Sequence, residues 1–168
     1  MVHSIELVFD ADTETAVRRI WTDLAAAGVP SQAPAARPHV TLVVAQRIDP
    51  QVDAALSTVA DLLPMDCTLG ATLIFGRSHG VLARLVVPTS ALLELHERVY
   101  RLCAPHLIPG PMANVAPGQW TAHTTLARRV GPAQLGRAQR IAGRSDITGR
   151  FVGLRRWDGN ARNEYPIS

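Results

Sequence analysis

The pattern Pro-His-Val-Thr-Leu at residues 38–42 returns 84 residues later as Ala-His-Thr-Thr-Leu at 122–126, and no other feature constrains the fold of this 168-residue chain as strongly. Each copy lies in a β-favouring run, Pro38 to Gln46 and Trp120 to Val130. Alternate side chains of a strand share one face, so His39 projects with Thr41 and His123 with Thr125. With six His and 12 Thr in the chain, His-x-Thr arises by accident about 0.4 times, and requiring the following Leu lowers that to about 0.05. Two such strands in one chain point to an internal duplication.

The remaining elements repeat in the same order. Ser4 to Phe9 reads as a first strand, and Asp10 or Asp12 caps a helix with Val17, Ile20, Trp21 and Leu24 on one side, ended by Gly28. Val29 to Pro38, with prolines at 30, 34 and 38, is an irregular segment delivering the chain into the first His-bearing strand. Pro50 opens a helix with Val52, Ala55, Leu56, Val59 and Leu62 on its stripe, Pro64 stops it, and Cys67 to Phe75 is a strand. A turn at Gly76 to Gly80 leads to a strand over Val81 to Val87. Then Thr89 or Ser90 caps a helix bearing Leu92, Leu95, His96, Val99 and Leu102. Pro105 to Gln119 is a second irregular segment before the second His-bearing strand. A short helix runs from Gly131-Pro132 to Gly143, Asp146 to Trp157 is a last strand, and the polar tail to Ser168 is irregular.

These readings predict an α+β protein, one domain over 1–168 built as two pseudo-twofold halves, about 4–75 and 81–157. Two antiparallel-type sheets line a central groove with helices outside. The 47% hydrophobic and 18% charged composition fits an ordinary soluble protein, neither disordered nor membrane-spanning. The absence of a basic start and apolar run in residues 1–10 points to the cytoplasm. Cys67 and Cys103, with no Cys-x-x-Cys, read as free structural thiols. Net charge is +3, and all 17 basic residues are arginine. The late arginines, from Arg128 to Arg162, read as a solvated basic face that permits contact with an anionic ligand.

Two imidazoles facing each other across a phosphorus, with two hydroxyls for its non-bridging oxygens, are equipment for in-line displacement at a phosphodiester. One His, neutral, takes a proton from water, and the other, protonated, gives one to the leaving oxygen. His96 reads as a core residue; His3, His79 and His106 read as surface histidines. Strict alternation puts Arg129, not Arg128, on the His123 face, and neither is assigned. Trp120 and Trp157 are the nearest candidates for stacking a base, although core positions are the default for both.

The two motifs, one per half of a duplicated chain of this size, resemble those of the two-histidine phosphoesterase superfamily, which includes the bacterial 2'-5' RNA ligase-like proteins and cyclic phosphodiesterases. The resemblance implies a bilobal fold with both motifs on the inner faces of a groove. It implies His39 and His123 as the acid/base pair, Thr41 and Thr125 as phosphate-oxygen donors, no metal and no cofactor. By analogy His123 activates water and His39 protonates the leaving oxygen. The implied substrates are RNA ends or cyclic-phosphate nucleotides, opened at a 2',3'-cyclic phosphate or, in some members, joined through a 2'-5' linkage. A single chain supplies both motifs, so a monomer is expected. Two other classes compete: a non-catalytic module binding RNA or a phosphorylated ligand in the same groove, and a zinc hydrolase.

Overall fold

Local sequence sets the helices. In the computed structural model, which describes residues 1–32, 36–76 and 79–168, Asp10 caps α1 (Ala11–Ala26) by accepting a bond from the Thr13 backbone N–H at 3.0 Å. Val17, Trp21 and Leu24 are buried on its inner face, and Gly28, at φ +73°, supplies the left-handed residue that ends it. Thr89 caps α3 (Ser90–Cys103) in the same way, at 3.2 Å to Leu92 N–H. Between them lies α2 (Val52–Ala60), which buries Val52, Leu56 and Val59; Leu62 falls beyond its end and is exposed. Pro132 occupies the first turn of α4 (Pro132–Ala142), and Gly143 closes it. Pro34 of the first irregular segment, and Arg77 and Ser78 of the turn, lie outside the described residues.

The described residues form eight strands: β1 (His3–Phe9), β2 (His39–Ile48), β3 (Met65–Phe75), β4 (Gly80–Val86), β5 (Leu107–Pro111), β6 (His123–Val130), β7 (Ile147–Asp158) and β8 (Asn163–Ile167). All pair antiparallel in the order β5-β2-β1-β7-β3-β4-β6, with β8 added to β7. The hydrogen-bonded ladder is therefore one sheet and not the two expected. The cause is the length of β7: Phe151–Asp158 pairs with β1, while Ile147–Phe151 pairs with β3.

The pairing also crosses the sequence halves. The first-motif strand β2 lies between β1 and β5, so the second half contributes a strand beside it. The second-motif strand β6 pairs with β4, which pairs with β3 of the first half. Helices cross likewise: α3 packs under β2 and against α2, whereas α1 and α4 pack together under β6.

Two strands were not expected. β5 falls in the segment Pro105 to Gln119 and β8 in the tail. Leu-Ile-Pro-Gly-Pro and Asn-Glu-Tyr-Pro-Ile carry prolines and little alternation, as suits short edge strands whose outer N–H row needs no partner. His3 corrects the surface reading: it is buried at the start of β1, with Nε2 3.1 Å from Asn160 Nδ2 and 3.3 Å from Asp158 Oδ1. Arg155 and Arg156 are also buried, unlike the solvated face expected of late arginines; Arg156 makes two 2.8 Å bonds to Asp53. Among the described residues no helix is long and apolar enough to cross a membrane.

Candidate active site

His39 and His123 each open a strand, and the parity of both motifs is as expected. Val40, Leu42, Thr124 and Leu126 are buried, while His39, Thr41, His123 and Thr125 are half-buried on the opposite face. In each copy the imidazole Nδ1 lies against the carbonyl two residues earlier: His39 Nδ1 at 2.8 Å from Arg37 O, and His123 Nδ1 at 2.7 Å from Thr121 O. A carbonyl only accepts, so Nδ1 carries the proton in both neutral rings and Nε2 presents a lone pair. The backbone of each motif is also fixed in the same manner. Trp120 Nε1 donates to Thr41 O at 2.9 Å, and Trp21 Nε1 donates to Thr125 O at 3.2 Å.

The segment preceding one motif covers the strand edge of the other. Pro30 O accepts from Arg128 N at 3.2 Å and Ser31 bridges Ala127 on β6. Met112 N donates to Val44 O at 2.9 Å next to β5 on β2. His96, a core residue as expected, donates from Nε2 to Leu42 O at 3.2 Å and stacks flat on Trp120 with ring centroids 3.9 Å apart. With both edges plugged, β2 and β6 approach one another, and a small cavity of about 20 Å³ is bordered by His39, Trp21 and Thr125 together. Trp120→Phe keeps the stack but strands the Thr41 carbonyl; a loss of about 1–3 kcal/mol is expected in chemical denaturation.

The two histidines differ in their surroundings. His123 lies against Phe75, ring centroids 4.7 Å apart. Burial first, and then the positive charges of Arg128 and His39, push it below the ordinary 6.5, against the Thr121 carbonyl bond, which favours its charged form. His39 Nε2 instead lies 3.5 Å from Glu6 Oε1. Glu6 is buried, accepts from Ser4 Oγ at 2.5 Å, and is held through Oε2 by Arg155 Nε and Nη2 at 2.8 and 2.7 Å. Glu6, Arg155 and Trp21 were not anticipated at the site. Register explains the first two: Glu6 sits opposite both Thr41 on β2 and Arg155 on β7, so these three share the motif face. A bulge between Leu82 and Ala83, with Arg129 at φ 58°, breaks the alternation that predicted which arginine joins His123.

Cys67 and Cys103 are free and buried, and burial pushes both thiols up to about 12, so neither is poised as a nucleophile. Among the described residues no three His, Cys, Asp or Glu side chains gather as a metal-ligand set. A cavity of about 560 Å³ bordered by Thr72, Arg84, Arg140 and Asp146 contains no motif residue.

The two His-x-Thr strands are not neighbours in the ladder, since β1, β7, β3 and β4 lie between them in the strand order, yet β2 and β6 come into contact across the fold. The chain belongs to the 2'-5' RNA ligase superfamily, whose family model matches residues 9–158. Among solved structures the fold is similar to TT0787 of Thermus thermophilus (18% identity, 100% of this chain and 96% of that chain, TM-score 0.62). It is also similar to the MHV ns2 PDE domain (16%, 99% and 99%, 0.58) and to E. coli LigT complexed with 3'-AMP (14%, 99% and 94%, 0.56). No curated protein matches the sequence.

Proposed function

We propose that this protein is a metal-independent phosphoesterase that opens a 2',3'-cyclic phosphate on an RNA end or a nucleotide, with the two motifs facing one groove between two lobes. The observation that carries this reading is the matched pair of imidazoles, each with Nδ1 committed to a carbonyl and Nε2 left for proton transfer, on two strands that contact one another. That LigT binds 3'-AMP, a nucleotide with a phosphate on the ribose, is consistent with it. Water attacks phosphorus, its proton passes to His123 Nε2, the bond from phosphorus to one ribose oxygen breaks, and His39 Nε2–H protonates that oxygen. Environment favours this assignment of roles: His123 is held neutral, and His39 faces a carboxylate. Thr41 and Thr125 donate to the non-bridging oxygens, whose charge grows in the transition state. A 5'-hydroxyl attacking phosphorus in place of water, with its proton passing to His123 Nε2 and the 3' oxygen leaving protonated by His39, would join RNA ends through a 2'-5' linkage. One chain is sufficient for all of these groups.

Two outcomes follow. The base must be neutral, and its proton affinity is depressed, so the acid limb of the pH–rate profile falls below pH 6.5; a limb above 6.5 would remove His123 from the role. Thr41→Ala lowers kcat/KM about 10–10²-fold, and Thr41→Ser restores most of it, because the lost group is one hydroxyl donor. Turnover of a 2',3'-cyclic nucleotide in excess chelator tests the proposal; turnover that a chelator abolishes and zinc restores would revive the zinc hydrolase.

A further inference from the structure

Beside His39, away from β6, the motif face opens into a cleft of about 520 Å³. His39 and Glu6 border its inner end, and the proposed proton transfers make no use of the remainder. Its walls include four arginines brought from separate parts of the chain: Arg18 on α1, Arg37 before β2, Arg155 on β7 and Arg162 in the turn between β7 and β8. Three of them are tethered. Glu14 holds Arg18 at 2.8 Å and Arg37 at 3.2 Å, Glu6 holds Arg155 at 2.7 Å, and Glu164 pairs with Arg155 and, at 3.7 Å, with Arg37. Three carboxylates thus stand against four guanidinium groups.

Arg162 accounts for the excess. It is exposed, and among the described residues it has no ion-pair partner. Its φ of 54° is a left-handed backbone that an arginine adopts only at some cost. The turn thus carries a cationic side chain at the rim of the cleft. Trp157 completes the wall, half-buried with Arg155 against its ring at 5.6 Å. Tethered guanidinium groups, whose planar donors match phosphate oxygens and whose ordering is already accomplished, suit a second anion at this distance from the motifs.

We infer that the cleft walled by Arg37, Arg155 and Arg162 binds a second phosphate carried by the same molecule whose cyclic phosphate lies between the motifs. This rests on the function proposed above for the reacting phosphate. The substrate class narrows accordingly, from any cyclic-phosphate nucleoside to one bearing a further phosphate. That phosphate is either a terminal group on the 5' oxygen or the diester linking the preceding nucleotide of an RNA end.

Three substrates separate these sources: uridine 2',3'-cyclic phosphate, the same compound with a 5'-phosphate, and a dinucleotide ending in a 2',3'-cyclic phosphate. At low salt at least one of the latter two shows kcat/KM about tenfold above the first, through KM, and Arg162→Ala removes most of that preference while Arg162→Lys keeps part of it. Whichever substrate gains identifies the phosphate that the cleft takes. Equal kcat/KM for all three, or a preference that Arg162→Ala leaves intact, overturns the inference. Should none be turned over, the proposed reaction fails, and calorimetric titration decides about the cleft separately. Uridine 3',5'-bisphosphate then binds about tenfold tighter than uridine 3'-monophosphate to the wild type but not to Arg162→Ala; equal affinities overturn the cleft as a phosphate site.

Discussion

His39→Ala and His123→Ala each lower turnover of a 2',3'-cyclic phosphate by about 10²–10⁴-fold, the range of a single positioned acid or base. On the proposed assignment the affinity for a monophosphate product changes far less, because Thr41 and Thr125 are left to hold the phosphate. Both imidazoles are half-buried and each gives up a single bond to a carbonyl, so folding stability falls by only about 1 kcal/mol per variant. The double variant is expected to be little worse than the poorer single one, since proton removal and proton delivery serve one transition state and such losses are not multiplicative. Steady-state kinetics and a monophosphate titration read turnover and affinity, and chemical denaturation reads stability. Single variants that retain a tenth or more of the turnover would contradict paired acid/base work and favour the binding module.

Arg84→Met produces the largest loss of stability, about 3–5 kcal/mol, or roughly 6–20 °C in Tm for a chain of this length. Arg84 is 1% exposed. Its Nη1 donates to Ala142 O at 2.5 Å, and its Nη2 donates to Leu69 O at 2.9 Å and Ser145 O at 2.6 Å. One guanidinium therefore caps the C-terminus of α4, where its charge meets the negative end of the helix dipole, and ties that end to β3. Burial lowers its proton affinity, but from 12.5, and Asp146 opposes the change, so the charge persists near neutral pH. Methionine fills much of the volume yet leaves three carbonyls without a donor. Lysine would not rescue it, because one ammonium cannot reach three acceptors in a planar fork. Urea or guanidinium denaturation measures the difference, and a loss below about 1 kcal/mol would show that water or a shifted backbone serves those carbonyls.

The legible part of the site was its periodic part. His39, Thr41, His123 and Thr125 share a face because strand parity is local, and Trp21 was recognisable as an inward position of α1 because helix periodicity is local. What Trp21 does there, donating to Thr125 O across 104 residues, depends on packing that no stretch of sequence encodes by itself. The same holds for Glu6. Its neighbours Ser4 and Val8 suggest an ordinary strand, and only the registers with β2 and β7 bring it to His39 and Arg155. The order of elements runs as read, β1-α1-β2-α2-β3 and then β4-α3-β6-α4-β7 with β5 added, yet these stretches are not the units that pack. The connection through β3, β4 and β7 exchanges strands and helices between them. β5 and β8 escaped notice because edge strands need neither alternation nor freedom from proline.

Phosphorus NMR of a 2',3'-cyclic nucleotide incubated with the wild-type protein in excess chelator tests the central claim most directly. The account predicts disappearance of the cyclic resonance and growth of one monophosphate isomer, which names the ribose oxygen that leaves. Both isomers in equal amounts, or a cyclic phosphate that persists on nucleotides and RNA ends alike, would contradict it.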